Sequence, residues 1–246
     1  MIDRLLELQR QGSRAVLFTV VEGEHLGSKL LVVEDGETTG DAPTELAAHA
    51  RDLIRSGRSR TLELDEMKVF CEVYGPPPRL LVYGAVDTAE ALCRAAKLLG
   101  WRTIVADARA KFATAERIPS ADEVLVAWPE EAFAQVAPDH STAVVVLTHD
   151  DKFDVPALKA ALETEAFYIG ALGSRRNQER RRERLADAGV DADAFRRIVG
   201  PSGLDIGADS NEETAVSILA EALAVRAGRN GGPLRESKQR IHVEVP

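Results

Sequence analysis

The sequence predicts an α/β protein in two parts: a parallel sheet with helices on both faces from about Arg79 onward, and a smaller α/β domain before it. Three observations carry this expectation. Short apolar runs alternate with helical segments over the second part, the rhythm of a parallel sheet buried on both sides. The run Gly75-Pro76-Pro77-Pro78 interrupts the chain, because consecutive prolines neither extend a helix nor join a sheet ladder. A glycine turn at Gly84 follows the first strand of the second part and opens a helix, and the next strand ends in the acidic Asp107.

The elements follow in chain order. Ile2 to Gln9 reads as a short helix, and Ala15 to Val21 and Leu30 to Val33 read as strands. Asp35-Gly36 marks a turn, and Thr44 to Ser56 has helical spacing through Leu46, Ala50, Leu53 and Ile54. Thr61 to Leu64 and Met67 to Tyr74 look like a strand pair. The boundary is placed at residues 75/76. Beyond it come Leu80 to Tyr83, the helix Thr88 to Leu99, strands at Thr103 to Ala106, Val124 to Ala127 and Ala143 to Leu147, a helix Val155 to Glu163, and a strand Ala166 to Ile169. Two more helices are expected at Ser174 to Ala188 and Asn211 to Arg226, the latter opened by a capping box of Ser210 and Glu213. The second domain is taken as 76–227, and residues 228–246, with Gly231-Gly232-Pro233 and many charges, as a flexible tail.

Composition narrows the function. The chain has 246 residues, 45% hydrophobic and 29% charged, enough apolar content for two cores. A net charge of −9 argues against nucleic acid as partner, since that binding is driven by cations displacing phosphate counterions. No apolar run approaches the roughly 18 residues of a membrane span, and the charged start does not resemble a signal peptide, so a cytoplasmic protein is expected. The two cysteines, Cys71 and Cys93, fall on apolar faces of a strand and a helix and read as buried packing. No metal site is expected from them.

Four places have the residues for chemistry. Gly84-Ala85-Val86-Asp87-Thr88-Ala89 occupies the slot of a dinucleotide fingerprint, with Asp107 where a ribose hydroxyl would be accepted, which makes the second part Rossmann-like. Val86 and Ala89 replace the second and third glycines, and Asp87 would compete with phosphate for the helix N-terminus. A fold kept for its shape is therefore favoured there over NAD(P) binding. The second place is Tyr168-Ile169-Gly170-Ala171-Leu172-Gly173-Ser174-Arg175-Arg176, a strand end, glycine turn and helix start whose amides, hydroxyl and guanidinium groups suit a phosphate. A solvated arginine face explains the later arginines of that helix but not the glycine turn. The third, Thr148-His149-Asp150, falls at the carboxyl end of a strand, where a turn and helix cap is favoured over a catalytic His/Asp pair. The fourth is the glycine-flanked loop Gly203-Leu204-Asp205-Ile206-Gly207, which either lines the same cleft or only turns the chain.

Read together, Arg79 to Gly84, Gly100 to Arg109, Leu147 to Asp150, Tyr168 to Arg176 and Gly203 to Ala208 resemble the XdhC/CoxI family of molybdenum-hydroxylase accessory proteins, over roughly Pro76 to Arg226. The first domain resembles the family's other domain more faintly, through Thr19-Val20-Val21, Gly27-Ser28-Lys29-Leu30 and Asp35-Gly36-Glu37. Pro43 stands where the family's first cysteine motif would place its cysteine, and the second such motif is missing, which argues against thiol ligation or sulfur handling. The resemblance implies a chaperone that receives molybdopterin (molybdenum cofactor, including its cytosine dinucleotide form), presents it for sulfuration by a sulfurtransferase, and delivers it to an apo molybdenum hydroxylase of the xanthine or carbon monoxide dehydrogenase kind. It implies no turnover by the chaperone itself. The cofactor-binding candidates are then Gly84, Ala85, Asp107, Thr148, His149, Gly170, Gly173, Ser174, Arg175, Arg176 and Asp205. The alternatives are an NAD(P)-dependent oxidoreductase using Asp107 and His149, and a scaffold partner of a full-length paralogue. A homodimer is the default assembly.

Overall fold

A computed structural model of the chain describes residues 1–64 and 67–238. The chain forms two units, Met1–Pro76 with the described residues from Gly232 onward, and Pro77–Gly231. The stretch from Gly228 is thus divided between them. A 3-10 turn at Leu234–Glu236 lies within it, and its last part, 239–246, falls outside the described residues.

In the first unit, helix α1 (Ile2–Gln11) precedes strands β1 (Ala15–Gly23), β2 (Lys29–Val33) and β3 (Thr38–Gly40). A 3-10 turn (Thr44–His49) runs into α2 (Ala50–Ser56), followed by β4 (Arg60–Leu64) and β5 (Met67–Tyr74). The strands form one antiparallel sheet in the order β3-β2-β1-β5-β4. Central strand β1 is apolar at consecutive positions because both its faces are covered. Val16, Phe18 and Val20 meet Leu46, Leu53 and Ile54, while Ala15 and Leu17 meet Leu5 and Leu8 of α1. Strand β3 escapes a pattern search because it is three polar or glycine residues, all exposed.

The second unit contains β6 (Arg79–Tyr83), α3 (Asp87–Leu98), β7 (Arg102–Asp107), β8 (Glu123–Val126), α4 (Pro129–Val136), β9 (Thr142–Val146) and α5 (Asp151–Leu162). It continues with β10 (Tyr168–Ala171), α6 (Arg175–Asp187), α7 (Ala192–Phe195), β11 (Ile198–Val199) and α8 (Asn211–Arg226). Its six strands are all parallel and ordered β11-β10-β9-β6-β7-β8, the strand order of dinucleotide-binding folds. Alternate residues of β6 feed opposite cores. Leu80 and Val82 pack with Leu92 of α3 and Ile218 of α8, whereas Leu81 and Tyr83 pack with Phe133 of α4, Leu158 of α5 and Leu185 of α6.

Several boundaries differ from those expected. Strand β10 begins two residues later and runs on through Gly170, which pairs within the sheet with Val145 and Val199 instead of ending the strand. Helix α5 starts at Asp151, capped by Asp150, so Pro156 lies inside the helix and not at its first turn. Helix α4, opened by Pro129, and the short α7 and β11 are additions.

Candidate functional site

The sheet reverses direction of winding between β6 and β9, and ligands of such sheets collect outside the carboxyl ends of the strands at that point. Gly84 follows β6 there with φ +114°, and a Cβ on it would stand 3.2 Å from Thr148 Cγ2 and 3.3 Å from Leu147 Cβ. The close approach of the two strand ends, together with the left-handed φ, requires glycine. The turn then satisfies itself. The amides of Gly84 and Val86 donate to Ala106 and Gly84 carbonyls at 2.8 and 3.0 Å, and the Ala85 amide donates to Asp107 Oδ2 at 2.9 Å.

Asp107, the expected ribose acceptor, is 1% exposed. Its Oδ1 accepts from the Arg109 amide and Nε, and its Oδ2 from Ala85 and Arg109 Nη2. These bonds occupy about four lone-pair sites, the full capacity of a carboxylate. Burial alone would push the Asp107 carboxyl up, but the Arg109 guanidinium and the two amides outweigh it and hold the group below the usual carboxylate range. Asp87 at the start of α3 faces Arg117 at 3.2 Å.

The second glycine turn is built differently. Leu172 N–H donates to the Val146 carbonyl at 3.0 Å, so that amide is not available to a ligand, and Gly170 lies wholly within β10. Gly173 adopts φ +144°, with Asn177 Cβ 3.3 Å from where its own Cβ would be. Ser174 is the α6 cap, its hydroxyl accepting from Asn177 N–H at 3.2 Å. Below the turn, the buried Arg181 forks onto Asp154 at 2.7 and 3.0 Å and donates to the Leu172 carbonyl at 3.1 Å and to Gln178 Oε1 at 2.8 Å. That buried pair ties the turn to α5.

Arg175 and Arg176, expected to converge on one anion, leave α6 in different directions. Successive helical residues point about 100° apart. Arg175 lines a groove of about 430 Å³ with Gln178, Arg182, Phe195, Gly200 and Pro201, while Arg176 is exposed and has no ion pair among the described residues. The face that meets the carboxyl end of β9 is Asn177, Arg180, Arg181 and Arg184, spaced i, i+3, i+4 and i+7. With His149, Asp151 and Asp154 it lines a pocket of about 80 Å³. Arg181 is matched by Asp154 and Arg184 by Asp151, which leaves Arg180, among the described residues, as the uncompensated cation of the pocket. The helical spacing was the signal that could have found these residues.

Thr148, beside His149, is 5% exposed and its hydroxyl has no hydrogen-bond partner among the described residues. A buried hydroxyl left in this way costs about 1–3 kcal/mol, so its position at the switch point favours a polar guest. Asp205 is exposed and takes part in no hydrogen bond among the described residues, so no contact links it to Thr148 or His149. Its loop is pinned instead by Glu221, whose Oε2 accepts from Gly203 N–H and from the buried Tyr168 hydroxyl, both at 2.7 Å. Helix α8 starts against α3, with Thr88 Oγ1 donating to Asn211 Oδ1 at 2.6 Å.

A second cluster at the same edge has no counterpart among the sequence expectations. The Arg109 guanidinium lies 4.4 Å from the Phe112 ring centre and 5.6 Å from that of Phe153. Trp128 packs on Phe153 with ring centres 5.3 Å apart, and Lys152 Nζ lies 4.8 Å from the Trp128 ring. Among the described residues, no group of three or more His, Cys, Asp or Glu is arranged to hold a metal, and no helix is long and apolar enough to cross a membrane.

Comparison with known proteins matches residues 80–222 to the XdhC Rossmann domain. The Escherichia coli (strain K12) protein YqeB is 32% identical over 169 residues, 68% of this chain and 30% of YqeB. A probable xanthine dehydrogenase subunit from Bacillus subtilis (strain 168) is 32% identical over 64% of this chain and 46% of its own length. The chain thus spans less than half of either relative. The E. coli (strain K12) molybdenum cofactor insertion chaperone PaoD is 27% identical over 90% of this chain and 86% of its own. The solved structure of a xanthine dehydrogenase from Bacillus halodurans shares the fold with a TM-score of 0.70 at 24% identity, covering 92% of this chain and 66% of that one.

Proposed function

Since the chain belongs to the XdhC family through its Rossmann domain, we propose that it is an accessory protein that holds molybdenum cofactor by its phosphate end and passes it to an apo molybdenum hydroxylase. The observation that carries this reading is Arg180, an unmatched guanidinium presented with Asn177 and His149 at the carboxyl edge of the sheet; the Thr148 hydroxyl, orphaned at the same edge, adds a second polar group without a partner. A forked cation beside helix N-termini suits a terminal phosphate or the pyrophosphate of a dinucleotide form. The names of PaoD and of the B. subtilis relative point to the same cargo and client.

On this reading the protein carries its cargo and performs no turnover of its own. A sulfurtransferase acting on the bound cofactor would have to bring the sulfur with it, because neither thiol of this chain is suited to carry it. Burial pushes the Cys71 thiol up to about 11 and the Cys93 thiol up to about 12, so neither forms a thiolate near neutrality. The oxidoreductase reading is disfavoured because Asp107 has no free acceptor and Val86 stands where a dinucleotide needs glycine.

The test is titration with inorganic pyrophosphate and with molybdopterin, paired with mass spectrometry of pterin carried by protein purified from a molybdopterin-producing host. Arg180→Ala is expected to weaken both ligands about tenfold, which corresponds to about 1.4 kcal/mol, and Arg175→Ala to leave them within twofold. Equal affinities in wild type and Arg180→Ala would overturn the assignment.

A further inference from the structure

The anion pocket accounts for one end of the carboxyl edge, and the aromatic and cationic cluster lies toward the other. In a chain of net charge −9 with 5% aromatic residues, Phe112, Trp128 and Phe153 gather at one corner together with Arg109, Lys111, Arg117 and Lys152. Each of these aromatics has at least one cation within cation–π range. Phe153 and Arg109 are already engaged: the ring is buried in the core under α5, and the guanidinium is locked onto Asp107. Trp128 is not. It is 43% exposed, beyond the end of β8, with Lys152 also exposed beside it.

The two ends are joined by the first turn of α5. Asp151 and Asp154 border the anion pocket, while Lys152 and Phe153 of the same turn contact Trp128. Strands β9 and β8 are three places apart in the sheet, so their carboxyl ends are about 14 Å apart. An extended ligand held by a phosphate at Arg180 would therefore reach Trp128 with its far end. The groups waiting there are an indole face and an ammonium, the combination that takes a planar, electron-rich ring.

We infer that Trp128 and Lys152 form a stacking shelf for a planar heterocycle, the ring end of the ligand whose phosphate end is held at Arg180. This rests on the reading of the Arg180 pocket as a phosphate site. The same chemistry fits two rings, a pterin or a nucleobase, and they are separable by experiment.

Only two tryptophans are present, and Trp101 is 4% exposed and edge-packed on Phe167. In full-length Trp101→Phe the emission therefore comes from Trp128 alone. The probes are 6-hydroxymethylpterin, cytidine monophosphate and inorganic pyrophosphate. Saturable quenching by the pterin and not by the nucleotide assigns the shelf to a pterin ring, the reverse assigns it to a nucleobase, and quenching by neither overturns the inference. Trp128→Leu, which keeps apolar volume against Phe153, is expected to weaken binding of the quenching probe about tenfold by calorimetry while leaving pyrophosphate affinity unchanged. Unchanged affinity for the ring probe would overturn the shelf. Lys152→Met, at an exposed position, gives an independent reading should Trp128→Leu not fold: a several-fold loss is expected, and no loss overturns. If Arg180→Ala fails to weaken pyrophosphate while Trp128→Leu still weakens the ring probe, the phosphate reading falls and the shelf stands.

Discussion

The second unit contains the strand, glycine, helix pattern twice at one sheet edge, after β6 and after β10, and the two turns are satisfied in opposite ways. At Gly84 the turn closes on itself: its amides donate to backbone carbonyls and to Asp107, and Arg109 saturates what is left of that carboxylate. At Gly173 the turn is braced from beneath by Arg181 and Asp154, and the helix that follows brings Arg180 to the edge without a counter-charge among the described residues. The difference teaches that a glycine turn before a helix is not in itself an anion site. What decides is whether the neighbouring side chains satisfy the turn inward or leave a cation facing outward.

The largest effect is expected from breaking the brace of the second turn. Asp154→Ala would leave the Arg181 guanidinium, 4% exposed, without its carboxylate, and such a buried unpaired charge costs about 3–5 kcal/mol. Urea denaturation followed by circular dichroism should show that loss, and the Arg181→Met, Asp154→Leu double variant should recover much of it, because both charges are then gone. A double variant no more stable than Asp154→Ala would mean that the hydrogen bonds to Leu172 and Gln178, and not the ion pair, are what matter. Next comes Gly84→Ala in the first turn. Left-handed strain and the approach to Thr148 should together cost about 1–3 kcal/mol, and a variant as stable as wild type would show that the two strand ends are free to part.

How far these regions can be read from sequence follows from how local their determinants are. Helix α8 is legible to the residue because its capping box, Ser210 with Glu213, is contained in four consecutive positions. Five of the six parallel strands are legible because each is a short apolar run alternating with helices, whereas the two-residue β11 is too short to show a pattern. The state of Asp107 is not legible, since only the folded turn shows that Arg109, two residues on, curls back to grip it. Arg175 and Arg176 are adjacent in sequence and so draw the eye, yet helical periodicity sends them apart and brings Arg180 to the pocket instead. The Trp128 shelf is assembled from two segments, Trp128 and the first turn of α5, and nothing local to either announces it.

The smallest effect is expected at the clamp of the first turn, and its pH dependence identifies the cause. Arg109→Ala should cost about 1–2 kcal/mol near neutral pH, less than the Asp154 change because 35% of the Arg109 side chain remains open to solvent screening. Asp107 is held below its ordinary value when folded, so its contribution is fully present above the unfolded carboxylate value of about 3.9 and is lost as pH falls through the lower folded one. The stability gap between wild type and Arg109→Ala should therefore be constant from about pH 5 to 7 and shrink below about pH 4. A gap that persists in acid would assign the loss to the packing of Arg109 on Phe112 and Phe153, making the first turn a site of stacking and not of charge.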